Sequence, residues 1–277
     1  MSEMIRLSTR AQSALRREAA ASLPLRGGSR LWRVLTLPLV AAMFVALWQG
    51  AVWLGDYPAF ILPAPADVAR TFARTLSDGS LWGHTRLTLA EVFGGLALGG
   101  VAATLLGYAL AKNRLLEQFV APYIVASQSV PVVAIAPLLI IWFGAGYLSK
   151  MLISALIVFF PMLVNTVVGI RSVDADLRAL MRSLRATRWQ TFVMLEAPAA
   201  LPVLLGGLKV GVTLSVIGAV VGEFVGADRG LGFLINQARG LFNTPLVFVA
   251  IFTLVAIALA LYGAVSLLEA RLLRWRV

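Results

Sequence analysis

The chain contains stretches so long without a charged residue that they restrict it to folds whose main solvent is lipid. A helix needs about 20 apolar residues to cross about 30 Å of hydrocarbon. Val34–Leu54 supplies 21 uncharged residues, and Val92–Ala111 and Met151–Ile170 supply 20 each. Between Glu117 and Lys150 lie 32 uncharged residues interrupted by Pro122, Pro131 and Pro137, which predicts one span plus kinked or non-helical backbone. A fifth span is expected over about Leu201–Val225, and a sixth within the 29 uncharged residues between Arg239 and Glu269. The predicted fold class is all-α, a polytopic membrane protein with six transmembrane helices. Six crossings place both termini on one side.

Composition agrees. Of 277 residues 60% are hydrophobic and 13% charged, about half the roughly 25% charged content of soluble domains, and a mean hydropathy of +0.87 leaves too few polar residues for a soluble skin. A net charge of +11 could signal nucleic-acid binding, but the bases fall between apolar runs and form no soluble basic face, so no nucleic-acid partner is expected. With no cysteine and one histidine, disulfides, thiolate sites and histidine metal clusters are excluded, and neither metal nor cofactor is expected in this chain.

Lys and Arg near span ends are retained in the cytoplasm, which orients the bundle. With the N-terminus inside, 17 of the 24 bases flank the inner side and six the outer: Arg70, Arg74, Arg86, Lys150, Arg229 and Arg239. Lys209 lies within a span. The first run exceeds a secretory h-region and lacks a convincing cleavage site, so it reads as a retained span. Residues 1–33 read as a basic, mobile cytoplasmic tail with a weak helical stretch at 11–21, residues 34–270 as the six-helix domain, and residues 271–277 as a cytoplasmic end. Asp67–Leu76 fits an amphipathic helix on the outer surface. Trp48, Trp53, Trp82, Trp142 and Trp275 read as interface anchors.

The longest connection between spans on the inner side is the loop of residues 171–200. Asp174 or Asp176 can cap a helix whose apolar positions Leu177, Leu180, Met181 and Leu184 follow helical spacing, with Arg178, Arg182 and Arg185 opposite. A second short helix, Thr187–Leu195, is expected to end before Pro198. Such a projecting knob suits either a hairpin lying on anionic membrane lipid or a docking surface.

Intramembrane polar groups are functional candidates by default. Lys209 and Glu223 are 14 residues apart on one span, about 21 Å along a helix, and so cannot pair. Lys209 reads as snorkelling to the cytoplasmic end. Glu223 reads as lining an outer gate or meeting a base such as Arg229. Ser127, Gln128 and Ser129, beside Pro131, and Asn165 mark a candidate translocation path or interhelical hydrogen bonds. His84 reads as interfacial. Gly94, Gly95, Gly99 and Gly100, and the pairs Gly207/Gly211 and Gly218/Gly222, read as helix-packing positions.

Several short pieces, in order along residues 35 to 276, resemble one family. They include ILPAPADV (Ile61–Val68), VPVVAIAPLLIIWFGAG (Val130–Gly146), LRATRWQ (Leu184–Gln190), PAALP (Pro198–Pro202), GLK (Gly207–Lys209), VGEF (Val221–Phe224), GLG (Gly230–Gly232) and TPLVF (Thr244–Phe248). Together they are similar to binding-protein-dependent ABC importer permeases of the nitrate, sulfonate and taurine group, nearest the thiamine-precursor branch. The resemblance implies a MetI-like fold in a bacterial inner membrane. It implies that Leu177, Leu180, Met181, Leu184, Arg185, Ala186, Thr187 and Arg188 form the ATPase-coupling loop. It also implies a homodimer working with two ATPase subunits, which use ATP and Mg, and a solute-binding protein. The chain itself has no GxxxxGK[ST] phosphate cradle and is not expected to be an enzyme. Its cargo would be a small nutrient, a thiamine-precursor pyrimidine or related heterocycle such as a flavin, or else nitrate, a sulfonate or taurine.

Two departures stand out. Where the family's loop carries Glu and, further on, Gly, this chain has Ala179 and Arg185. Arg185 must then adopt a left-handed conformation or use a different turn. The rival reading, an ion-gradient-driven carrier or channel, predicts ionisable relays at mid-membrane and inverted repeats. The sequence shows one clearly intramembrane cation, Lys209, and no repeat.

Overall fold

The computed structural model describes residues 30–274, so residues 1–29 of the tail expected at 1–33 and the residues 275–277, Trp275 among them, lie outside the described residues, while residues 30–33 belong to the first helix and not to a tail. Contacts divide the chain into a unit ending at Asp56 and a second from Tyr57 onward. The first contains α1 (Arg30–Gly55), an apolar helix that continues through Pro38.

The second unit is helical throughout its described elements: α2 (Pro65–Ser77), α3 (Ser80–Lys112), α4 (Arg114–Gln128), α5 (Val132–Phe143), α6 (Tyr147–Arg171), α7 (Ala175–Ser183), α8 (Arg188–Thr191), α9 (Ala197–Gly226), α10 (Leu231–Gly240) and α11 (Thr244–Leu272). Helices α1, α3, α6, α11 and the run Arg188–Gly226 are long and apolar enough to cross a membrane, and α4 with α5, bent by 93°, would make a sixth span. The bend falls at Ser129–Pro131, where proline disfavours helical conformation in the residue before it.

Helix α3 begins twelve residues before the expected span. Glu91 ends the uncharged window in the sequence but not the helix, because its carboxyl is buried inside the bundle beside Lys150. Lys150, expected in an outer connection, lies on the first turn of α6 and is 2% exposed. Helix α2 matches the amphipathic expectation in extent, with Val68 and Thr75 buried and Arg70 paired to Asp67 on its exposed face. It also packs on α11.

The core is the trio α3, α6 and α9, which meet at glycines. A Cβ on Gly95 or Gly99 would collide with Ser154 or Ala155 of α6, and one on Gly218 of α9 would collide with Ser154 from the other side. Ser154, at the centre, gives its hydroxyl hydrogen to the Ser215 carbonyl at 3.0 Å. Gly207 admits Asn165 and Gly211 admits Met162. In lipid, helices associate by close packing of small residues and not by escape from water, so these positions hold the trio together. Apolar clusters around Met162 and Leu163, and around Val216 and Ala219, fill the remaining space.

Gly218→Ala forces the backbone at Ser154 to shift and should destabilise the fold by about 1–3 kcal/mol. Gly263→Ala, where the space is open, should be neutral. Thermal unfolding midpoints of the two purified variants in detergent check this.

Candidate functional site

At one end of the trio, residues 171–196 form a projecting knob. Asp174 caps α7, its carboxylate accepting from the Asp176 N–H at 2.8 Å. The helix ends in a Schellman motif: the Ala186 N–H donates to the Met181 carbonyl and the Arg185 N–H to the Arg182 carbonyl, both at 3.0 Å. Arg185 occupies the position that glycine favours, with φ 53°. A non-glycine residue held there costs on the order of 1–2 kcal/mol. Thr187 then opens α8 with a capping box: its hydroxyl oxygen accepts from the Gln190 N–H at 3.2 Å, and its own N–H donates to the Gln190 side chain at 2.8 Å. The run from Leu184 to Gln190 is thus one turn with a stop signal and a start signal.

The second helix does not end before Pro198. It continues through a π-helical segment, Phe192–Glu196, directly into α9. Proline is tolerated at the first turn of α9, and the wider π turn absorbs the register change. The knob is therefore continuous with α9, and only three residues separate it from α6.

Ionic contacts secure its base. Arg171 forms a bidentate pair with Glu117, Lys112 pairs with the buried Glu196, and an Arg178 guanidinium NH donates to the Ile170 carbonyl at 2.6 Å. Leu177, Leu180 and Leu184, by contrast, are 47%, 52% and 67% exposed. Ala179, Arg182, Arg185, Thr187 and Arg188 are also exposed, while Met181 and Ala186 are half-buried. Among the described residues, the side chains of Arg182, Arg185 and Arg188 have no ion pair. A face of leucines rimmed by unpaired arginines is the form of a docking surface. Beside it, a hollow of about 500 Å³ lies among Leu105, Tyr108, Trp189, Phe192 and Leu204.

The expected path residues do not converge. Ser127, Gln128 and Ser129 are exposed at the α4–α5 bend, and the Ser127 and Ser129 hydroxyls donate to carbonyls within α4. Asn165 donates to the Pro161 carbonyl of its own helix at 2.8 Å and faces Gly207 of α9. None of these makes the expected interhelical hydrogen bond. Glu223 is 16 residues further along α9, about 24 Å away.

Lys209 pairs with Glu269 in the last turn of α11, near the Tyr262 ring. Glu223 forms no ion pair with Arg229. It is 1% exposed at the end of the bundle opposite the knob, where it accepts from the Thr88 hydroxyl at 2.6 Å and from the Gly232 N–H. Glu91 is its neighbour, and Lys150 pairs with Glu91 at 3.7 Å. His84, read as interfacial, accepts the Gly230 N–H at its Nδ1 and stacks on Phe233. A charge-free window cannot find Glu91 and Lys150, because each lies just outside one. Their signal is helical spacing, since His84, Thr88 and Glu91 recur at four and three residues on α3.

Lys150→Met leaves Glu91 buried without its cation and should cost about 3–5 kcal/mol. Adding Glu91→Gln should recover much of the loss. Unfolding midpoints of the single and double variants would show the coupling, and simple additivity would refute it.

Residues 95–274 match the family described as "Binding-protein-dependent transport system inner membrane component". The chain is 53% identical over 244 residues to the riboflavin transport system permease protein RibX of Chloroflexus aurantiacus, covering 88% of this chain and 91% of that one. It is 37% identical over 248 residues to the formylaminopyrimidine transport permease protein ThiX of Halalkalibacterium halodurans, covering 89% and 98%. In fold it resembles a chain of the MetNI methionine ABC transporter in an inward-facing conformation. The TM-score is 0.58 at 19% identity, over 72% of this chain and 97% of that one.

Proposed function

The chain belongs to the family of binding-protein-dependent transport system inner membrane components and is an ABC transporter permease subunit; from that premise we propose that the knob of residues 171–196 is the surface through which a separate ATPase drives it. The observation that carries this reading is the unpartnered face of Leu177, Leu180 and Leu184, on a knob rigidly joined to α6 and α9. Leu184, Arg185, Ala186 and Thr187 enter a groove of the ATPase. Motion there reaches the core because no flexible linker intervenes.

Two copies of the chain enclose the pathway, with two ATPase subunits on the cytoplasmic side and a solute-binding protein on the other. The excess of bases near the knob supports a reading in which it and both termini face the cytoplasm. ATP and Mg belong to the ATPase. Closure of the ATPase pair draws the knobs together and opens the pathway outward, and hydrolysis resets it, a rigid-body alternation. The cargo is a small aromatic heterocycle of the riboflavin or pyrimidine kind, a reading supported by the names of the relatives at 53% and 37% identity.

Leu184→Asp places a charge in the docking groove and should abolish co-purification of the ATPase while the permease stays folded. Retained co-purification with normal transport would defeat the coupling reading. Arg185→Gly relieves the left-handed strain and should preserve or strengthen assembly, whereas its loss would reveal an arginine contact particular to this system. Vesicles containing the complete importer should take up labelled riboflavin or a pyrimidine, with no competition from excess taurine. Competition by taurine instead would overturn the cargo assignment.

A further inference from the structure

The VGEF and GLG motifs, six residues apart and unexplained by the coupling surface, form a single device in the structure. Helix α10 begins with three consecutive backbone N–H groups, and side chains from other helices take all three. The Gly230 N–H donates to His84 Nδ1 at 3.0 Å, the Leu231 N–H to the Thr88 hydroxyl oxygen at 2.9 Å, and the Gly232 N–H to a Glu223 carboxylate oxygen. Thr88 passes its own hydrogen to the other Glu223 oxygen at 2.6 Å. Glu223 therefore caps α10 from α9, where a carboxylate also gains from the positive end of the helix dipole. Any side chain at Gly230 or Gly232 would collide with that carboxylate, and φ 117° at Gly230 independently favours glycine. Thr88, Glu91 and Leu231 are wholly buried, so the contact excludes water.

A second acceptor arrangement lies within reach. Lys150 stands on α6 where Gly222 of α9 lets its backbone approach. It is 3.7 Å from Glu91, an ion pair longer than a good hydrogen bond, and both Glu91 oxygens lack a hydrogen-bond partner. Lys150 is paired to Glu91 alone, yet it lies against Gly222, the residue before Glu223, so the carboxylate that holds α10 is a second pairing within its reach. Helix α6 joins the knob at its other end, so one continuous helix connects Lys150 to the knob.

We propose that Glu223 is the latch of an outer gate formed by α10. Lys150 releases it by leaving Glu91 for Glu223 and drawing the carboxylate off the Gly232 N–H. Glu223, Thr88 and Lys150 are positioning residues for transport. This rests on the importer reading for its driving force, but the latch itself can be tested without nucleotide.

The chain's lack of cysteine makes labelling clean. Ala238 on α10 is fully buried in this arrangement, whereas Gln237 beside it is exposed. In the complete importer in lipid nanodiscs, Ala238→Cys should resist an impermeant maleimide without nucleotide and react about tenfold faster when ATP and vanadate trap the complex. Gln237→Cys should react in both states. Glu223→Gln in the Ala238→Cys background should raise the nucleotide-free rate about tenfold, since one charge-assisted hydrogen bond is lost, and should raise ATP hydrolysis relative to uptake. Should Glu223→Gln fail to assemble, Thr88→Val keeps the charge and removes only the hydroxyl, and should raise the same rate. Unchanged nucleotide-free labelling in the assembled latch variants overturns the latch. Equal labelling of Ala238→Cys in the two nucleotide states of an importer that transports overturns the gate. Absence of ATP-dependent uptake in the unsubstituted importer counts against the function proposed above, and the nucleotide-free rates still decide the latch.

Discussion

Everything in this bundle depends on the closeness of α3, α6 and α9 at Ser154. Lipid offers helices no reward for leaving water, so backbone-to-backbone approach must supply the attraction. Glycines on both neighbours face that one serine, and its hydroxyl is bonded across the contact. Helix α6 is thereby held between α3 and α9 along a surface that cannot be widened by one methyl group without displacement. The two polar ends of the bundle are placed by this contact. Glu91 reaches Lys150 and Glu223 because the same three helices stay close about one turn further on, and Lys112 reaches Glu196 at the other end.

The two ends differ in physical character. Near the knob, the ionic contacts are partly exposed, and pairs of that kind contribute between zero and about 1 kcal/mol each. Their value is geometric, since Arg171–Glu117 and Arg178 on the Ile170 carbonyl fix how the knob leaves α6. At the opposite end the charges are wholly buried, where breaking a pair is costly. Buried ionisable groups of this sort are also what an ion-driven carrier would possess, so they alone could not decide between the two transport classes. The family match over residues 95–274 decides it.

Much of this was legible in the sequence. The charge-free windows locate the crossings, and Pro131, one of the three prolines between Glu117 and Lys150, marks the 93° bend, while Pro122 and Pro137 lie inside helices. Asp174 and the leucine spacing give the first knob helix, and the glycine positions give the core. What the windows concealed is the polar interior. A rule that treats charge as the end of a span must misplace Glu91 and Lys150, which neutralise each other only once three helices are assembled. Pro198 misled in the same way. Locally it terminates a helix, but the π segment before it carries the chain through. His84 and Glu223 stood out in the sequence, yet each accepts a backbone amide, which no side-chain pattern reveals.

That passage through Pro198 has a mechanical consequence. The helical run from Arg188 to Gly226 is 39 residues long, about 58 Å at 1.5 Å per residue, nearly twice the hydrocarbon thickness of about 30 Å. A stiff rod of that length, pivoted near its middle where Gly207 meets Asn165, acts as a lever. A tilt of about 5° carries its extremities apart by roughly 5 Å, the scale of one helical turn. A motor engaging one extremity need supply only a small angular stroke.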